Sequence, residues 1–421
     1  MAQADLEDRL QPATAAYALF RERGSWFWVA VAMGFAVRAY LILLTPGTDD
    51  VPIWESHAGW TAQNGLIGYY SFQEVFNHPP FIGRVLSELW QLAKAGDIPY
   101  RIPHRAIFSL FDLGNALLLL RLFRESPWKY AIFAGYWLNP LAVIFSSYHG
   151  NTDTAVGFFV LLGMSFAVER RAALAGVAIG VGLWFKLPTV LAIPALFFFF
   201  EGAAASIAFG CVALAVGATT YLTTALQAWD LLYVRVLAYP GLDIVTPGGV
   251  PVWGFWNVFG IVKTAPESAR TALEALIGFH RDHNSLVSVL PIGVYAFLRR
   301  NAIEPRELGV TICGSFLIFY GLTNFWAYQY LAWVLPFLIF PGAVFSVAAT
   351  VVLFAYIYSL YTMLCGNPYL LGKWDFNAYP FWPTYMLRLR DFAILFCLLS
   401  GATFLYRAAR QEWARLRAGS G

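Results

Sequence analysis

Little of this chain can do chemistry, and what can is gathered into a few short polar runs. The first is Thr48-Asp49-Asp50-Val51-Pro52-Ile53-Trp54. A carboxylate fixed beside a membrane takes a proton from an incoming hydroxyl. Asp49 or Asp50 equally fits the cap of a helix starting near Pro52, since proline is tolerated in a first helical turn. Asn77-His78-Pro79-Pro80 sets a polar pair ahead of two prolines that restrict the backbone, and also reads as an ordinary helix entry. Tyr148-His149-Gly150-Asn151-Thr152-Asp153 joins two apolar runs, either as a functional loop or as a solvated turn with Asp153 as a cap. Lys186 is flanked by apolar residues, and a charge at such a position usually faces a cavity or a partner. Arg38 and Asp112 lie in other apolar runs and are expected to pair structurally. In Asn324–Pro336, Gln329 and Tyr330 can hydrogen-bond a ligand, while Trp326 and Trp333 suit an aromatic belt at a membrane surface.

The elements that must position these residues belong to a membrane protein. Hydrophobic residues make up 59% of 421 positions and charged residues 13%, against about 45–50% and about 25% in soluble domains. A net charge of +3 gives no reason to expect a nucleic-acid partner. Cys211, Cys313, Cys365 and Cys397 have no metal-ligand spacing. Nucleotide-binding glycine loops, HExxH and GxSxG are missing from the sequence.

A spanning helix needs about 20 mostly apolar residues. Candidate spans are 25–45, 105–122, 130–147, 154–168, 172–185, 189–200, 203–222, 286–298, 308–323, 330–340, 343–363 and 392–406. The fold expected is all-α, with about 12 transmembrane helices. The pair 172–185 and 189–200 is short and split by Lys186-Leu187-Pro188, the pattern of half-helices meeting at depth. The polar start of the chain (Asp5, Glu7, Asp8, Arg9, Arg21, Arg23) does not suit a cleavable signal, so 25–45 is expected to be a retained helix.

Arg21 and Arg23, Arg121, Arg124 and Lys129, Arg170 and Arg171, Arg299, Arg300 and Arg306, and the tail Arg407, Arg410, Arg415 and Arg417 fall on one side of such a bundle. This bias predicts cytoplasmic termini. The other side receives loops at 46–104, 227–285 and 364–390 of a single domain, 1–421. Within the first loop, 79–96 puts Ile82, Val85, Leu86, Leu89 and Leu92 on one face and Arg84, Glu88, Gln91 and Lys94 opposite. That spacing predicts an amphipathic helix lying on the membrane surface.

Asp50-x-x-x-Trp54, Tyr69-Tyr70, Phe76-Asn77-His78-Pro79-Pro80, Leu138-Asn139-Pro140, His149-Gly150-Asn151-Thr152-Asp153, Lys186-Leu187-Pro188 and Gln329-Tyr330-Leu331-Ala332-Trp333 occur in this order over about 300 residues. Together they resemble the GT-C superfamily of polytopic glycosyltransferases, both its bacterial multi-spanning members and the dolichol-dependent glucosyltransferases. The resemblance implies a polyprenyl-phosphate sugar as donor and a catalytic acidic residue at the start of the first extracytoplasmic loop. Asp50 matches that position and Asp49 is the near alternative; some members carry one carboxylate here rather than two. A divalent cation between them is conceivable, but neighbouring side chains need not converge, so no metal or other cofactor is expected.

The reaction expected is inverting transfer of a hexose to an acceptor hydroxyl on a glycan, lipid or protein at the extracytoplasmic face. The leaving phosphate is already stable as an anion. The site therefore needs a base for the acceptor and cationic or hydrogen-bonding groups for the phosphate. Asp50, assisted by Asp49, takes the first role. His149, Asp153, Lys186, Arg235, Gln329 and Tyr330 are assigned to the donor, and Trp54, Asn77 and His78 to the acceptor or to positioning the loop. Membrane lipid is the surrounding partner, in a bacterial inner membrane or, in a eukaryote, the endoplasmic reticulum. The rivals are a 12-helix secondary transporter, which often shows half-to-half similarity not visible here, and a lipid-sugar flippase.

Overall fold

The computed structural model describes residues 24–74, 76–239 and 244–418. Arg21, Arg23 and the acidic start of the chain, on which part of the topology expectation rests, lie outside them. The described residues are all-helical, without a strand, and hold one isolated bridge between Val245 and Pro251.

Helix α1 (Gly24–Leu44) leads into α2 (Asp50–Phe72) and α3 (Pro80–Ala95), and then α4 (Arg101–Leu122). Next come α5 (Lys129–Trp137) and a short α6 (Pro140–Val143), which continues as a π-helical turn over Ile144–His149. α7 (Asp153–Val168) and α8 (Ala172–Phe185) follow, then a 3-10 turn over Leu187–Ala192 and α9 (Ile193–Phe199). α10 (Ala203–Leu232) ends in a second π-helical turn, Tyr233–Leu237. A 3-10 turn at Phe255–Gly260, α11 (Ile261–Thr264) and α12 (Glu267–Asp282) connect to α13 (Asn284–Leu298) and α14 (Pro305–Leu322). Two 3-10 turns, Tyr328–Trp333 and Leu335–Phe337, precede α15 (Ala343–Cys365) and α16 (Thr384–Ala418).

Among the described residues four helices, α1, α10, α15 and α16, are long and apolar enough to cross a bilayer. α7, α8 and α13 are shorter apolar helices. The protein is an integral membrane protein. Three expected spans are not single helices. The stretch 189–200 runs from the 3-10 turn at Leu187–Ala192 into α9. The stretch 130–147 is divided at Leu138-Asn139-Pro140, where Pro140 has no N–H to continue the helix and the Asn139 side chain accepts from Leu141 N at 2.9 Å. The stretch 330–340 is a pair of tight turns with Pro336 in the second.

α8 and α10 pack almost backbone to backbone. A Cβ on Gly176 or Gly180 would lie 2.7 or 2.9 Å from a carbonyl oxygen of Phe209 or Ala213, so small residues set this approach. α3 matches the amphipathic pattern: Ile82 and Leu86 are buried while Arg84, Glu88, Gln91 and Lys94 are exposed, although Leu92 is exposed as well. Arg38 and Asp112 pair at 3.1 Å. Arg38 lies 3.6 Å from the Trp137 ring centroid and donates to Trp137 O at 2.8 Å, and Tyr136 donates to Asp112 Oδ1 at 2.9 Å. At one end of the bundle Arg121 pairs with Glu169, Arg170 with Glu201 and Arg300 with Glu412. The polar runs singled out in the sequence gather at the other end.

Candidate active site

The entry to the site is built by α1 and α4. The last carbonyls of α1 have no partner within the helix. Arg105 on α4 supplies one: it donates to Ile42 O at 2.7 Å, Thr45 O at 2.8 Å and Thr45 Oγ1 at 3.1 Å. This clamp fixes the chain just before it turns into α2, whose first residue is Asp50. A matching constraint holds the His149 run. Gly150 has φ +65°, and a Cβ there would lie 2.3 Å from Arg105 Cγ, so a side chain is barred on both counts. Its carbonyl contacts His104 Nε2 at 2.7 Å.

Asp50 receives three donors on one oxygen. His149 Nε2 lies 2.8 Å, Asn151 Nδ2 3.1 Å and Gln329 Nε2 3.5 Å from Oδ2. Among the described residues Oδ1 takes no hydrogen bond, and 36% of the side-chain surface stays exposed. The carboxyl lines a cavity of about 370 Å³ with Trp54, His57, Asn77, His78, Lys186 and Tyr330. Burial opposes its charge, yet the hydrogen bond from His149, the nearby Lys186 ammonium and the Asn151 amide outweigh that and hold it below the usual carboxylate range.

Asp49 turns elsewhere. It does not line the cavity, and burial, Asp375 of the third loop and Asp50 raise its carboxyl above the ordinary value. Among the described residues no three His, Cys, Asp or Glu side chains gather as a metal set.

Lys186 sits where the chain breaks between α8 and the 3-10 turn, in extended geometry (φ −162°, ψ 133°). Its Nζ donates to both oxygens of Asp153, at 2.8 and 2.7 Å, and lies 5.1 Å from the Tyr330 ring centroid. Asp153 also accepts from Trp333 Nε1 at 2.5 Å, so it is the counter-ion and anchor of Lys186. A second cavity of about 230 Å³ shares Asn77, His78, Lys186, Tyr239 and Tyr330 with the first and continues along Val190, Leu191, Val289, Phe319 and Phe325. The two cavities thus meet at Lys186, the first holding the Asp50 carboxyl and the second carrying aliphatic and aromatic side chains together with Asn284, Ser285 and Thr323.

Trp54 is buried in the wall and packs against His78 at 4.4 Å between ring centroids. Burial pushes His57 down to about 4 and His78 well below its ordinary value, so both are neutral at physiological pH. Arg235 does not reach either cavity; it donates to Tyr70 O at 3.2 Å and pairs with Glu74 at 3.6 Å, tying the end of α10 to the first loop. A larger cleft of about 990 Å³ lies by the basic end, lined by Phe123, Trp128 and Arg306 among others, and no carboxylate or imidazole faces it.

Four contributors lay outside the assigned site residues: Arg105, His104, Asn151 and Tyr361, whose hydroxyl lies 2.5 Å from His149 Nδ1. Arg105 had one readable signal, a cation at the very start of an apolar run. Tyr361 had none, being one of several tyrosines in an apolar helix.

Residues 55–237 match the family model described as GPI transamidase subunit PIG-U. That stretch includes the Asn77-His78, His149 and Lys186 runs but begins after Asp50. GPI mannosyltransferase 1 of Saccharomyces cerevisiae is 28% identical over 100 residues, 23% of this chain and 25% of that protein. The protein of that name from Kluyveromyces lactis is 29% identical over 94 residues, 21% of this chain and 23% of its own length. The chain therefore aligns with about a quarter of these relatives.

Proposed function

We propose that this protein is an inverting glycosyltransferase that moves a hexose from a polyprenyl-phosphate donor to an acceptor hydroxyl at the extracytoplasmic face. The observation that carries the reading is the one-sided Asp50 carboxylate: Oδ2 is held by three donors while Oδ1 is left to the cavity. Such a group is anionic, fixed and open to one incoming proton. The acceptor oxygen bonds to C1 of the sugar as the C1–O bond to phosphate breaks. The electron pair leaves with the phosphate, and the acceptor proton passes to Asp50 Oδ1. A carboxylate with a lowered pKa is a weak base, which suits a transition state in which the proton moves late.

Lys186 stands where the two cavities meet, the place a phosphate would take if its prenyl tail followed Val190, Leu191, Val289, Phe319 and Phe325 of the second. Its third N–H is free of Asp153, which takes two. His149, expected on the donor side, lines neither cavity and has both ring nitrogens engaged, by Asp50 and Tyr361. Gln329 and Tyr330 complete the donor side, while Trp54, Asn77 and His78 line the wall left for the acceptor. The mannosyltransferase likeness makes mannose the first sugar to test. The PIG-U match favours a second reading, in which the same cavity holds a glycolipid without transferring from it.

One assay separates them. In proteoliposomes given polyprenyl-phosphate [14C]mannose and a membrane-lipid extract, the wild type moves label onto acceptor. Asp50→Asn loses more than about 100-fold in rate, the usual scale for a general base, at unchanged melting temperature. Full transfer by Asp50→Asn removes Asp50 as base; no transfer by the wild type with any polyprenyl-phosphate sugar leaves the binding reading.

A further inference from the structure

His149 is 2% exposed and sits at the end of the π-helical turn, and Tyr361 on α15 is fully buried. The imidazole touches Tyr361 OH through Nδ1 at 2.5 Å and Asp50 Oδ2 through Nε2 at 2.8 Å. Trp374, at 4.7 Å between ring centroids, and Tyr148, at 5.9 Å, pack around the phenol ring and leave it one orientation. A neutral imidazole carries one proton, and its place is set by the bond the other nitrogen makes.

We infer that Tyr361 is a positioning residue that selects the tautomer of His149 and, through it, the reactive oxygen of Asp50; the inference rests on the transferase reading above. Tyr361 donates to Nδ1, so the imidazole proton lies on Nε2 and is given to Oδ2. The lone pair that would otherwise compete for the acceptor proton is occupied by the phenol. His149 therefore stays a donor throughout, and the proton released by the acceptor hydroxyl has Oδ1 as its destination. Without the phenol the imidazole is free to turn its lone pair toward Oδ2, which removes one of the bonds that keep the carboxyl anionic.

The other ionisable groups around Asp50 do not duplicate this role. His57 on α2 contacts Tyr69, and His104 on α4 contacts Gly150 O. His78 is buried against Trp54, and Lys186 is engaged by Asp153. Asp49 faces Asp375, and Tyr328 and Tyr330 are neutral phenols of the 3-10 turn.

Three full-length proteins in proteoliposomes with polyprenyl-phosphate [14C]mannose test the inference: Tyr361→Phe, His149→Gln and the double variant. Tyr361→Phe is expected to keep the wild-type melting temperature and donor KM. Its kcat falls roughly 10- to 100-fold, the scale seen when the outer partner of a functional imidazole is removed. The acid limb of its pH profile moves to higher pH, because Oδ2 has lost a fixed donor. A glutamine at 149 can donate to Oδ2 unaided, so adding Tyr361→Phe to His149→Gln changes kcat by less than about twofold. A wild-type profile in Tyr361→Phe overturns the inference, and so does an equal loss in both backgrounds, which marks a packing role. If Asp50→Asn is dead while Tyr361→Phe is normal, the inference alone fails; if the wild type transfers nothing, both fail.

Discussion

The ion pairs Arg38–Asp112 and Lys186–Asp153 both lie among apolar helices, and they are finished to different degrees. Arg38 and Asp112 are almost completely sealed, with side chains 3% and 2% exposed. Every neighbour there is a wall: the Trp137 ring beneath the guanidinium, the Trp137 carbonyl beside it and the Tyr136 hydroxyl on the carboxylate. Asp153 is just as deeply placed, but Lys186 keeps 12% of its side chain exposed at the joint between two cavities. Its carboxylate is saturated and its ammonium is not. A sealed pair has no face left for a ligand, and removing one partner strands the other as an uncompensated buried charge. A pair closed on the acidic side alone presents a held cation to whatever enters. The difference is one of access, which composition alone does not reveal: one pair is closed on all sides and the other leaves its cation at a cavity.

Breaking the sealed pair is expected to have the largest effect. Asp112→Ala strands Arg38 and costs about 3–5 kcal/mol, read as loss of a monodisperse protein in detergent; Arg38→Met with Asp112→Leu recovers most of it. Unchanged melting of Asp112→Ala would show that the pair is not holding α1 to α4. The open pair should respond in function instead. Lys186→Met combined with Asp153→Asn leaves no buried charge unmatched and keeps the Trp333 contact possible. Its melting temperature stays close to that of wild type while donor KM rises about tenfold, roughly 1.4 kcal/mol of phosphate binding. An unaltered KM removes Lys186 from the donor site. The smallest effect sharpens the electrostatics of Asp50. Its folded pKa is depressed, and under the proposed mechanism the anionic form acts as base, so activity is expected to hold on acidification and to be lost only as pH drops through a value below about 3.9, the free aspartate figure. Asn151→Ala removes one stabilising amide and should move that limb upward without changing donor KM. A limb that stays put takes Asn151 out of the account.

Much of this arrangement was legible in the sequence. The amphipathic face of α3 follows from spacing, and the break at Lys186-Leu187-Pro188 follows from a proline beside an intramembrane charge. The pairing of Arg38 with Asp112 follows from the cost of leaving either alone. The tight turns at Tyr328–Trp333 and Leu335–Phe337 were not legible, because hydropathy registers apolar content and not backbone geometry. Divergence of Asp49 from Asp50 comes from burial and then from Asp375, more than 300 residues away in the chain, neither of which local sequence shows. Arg390 and Asp391 look like interfacial charges, yet Arg390 donates to Pro251 O at 2.6 Å and Asn257 O at 3.1 Å, and Asp391 accepts from Phe259 N at 3.0 Å. They fasten the second large loop to α16, a role that only the assembled bundle makes visible.

The π-helical turn over Ile144–His149 has a consequence for how the protein tolerates change. A wide turn accommodates one more residue than an α-helical path of equal rise, and such insertions sit often at functional sites. Removing a single residue between Ile144 and Tyr148 would restore ordinary winding and take away the widened turn that delivers His149 to Asp50 and Tyr361. The second such turn, Tyr233–Leu237, ends two residues before Tyr239 on the cavity wall. Chain length in these two places is therefore as much a part of the site as side-chain identity, and lineages that shorten either one are expected to have given up the activity while keeping the bundle.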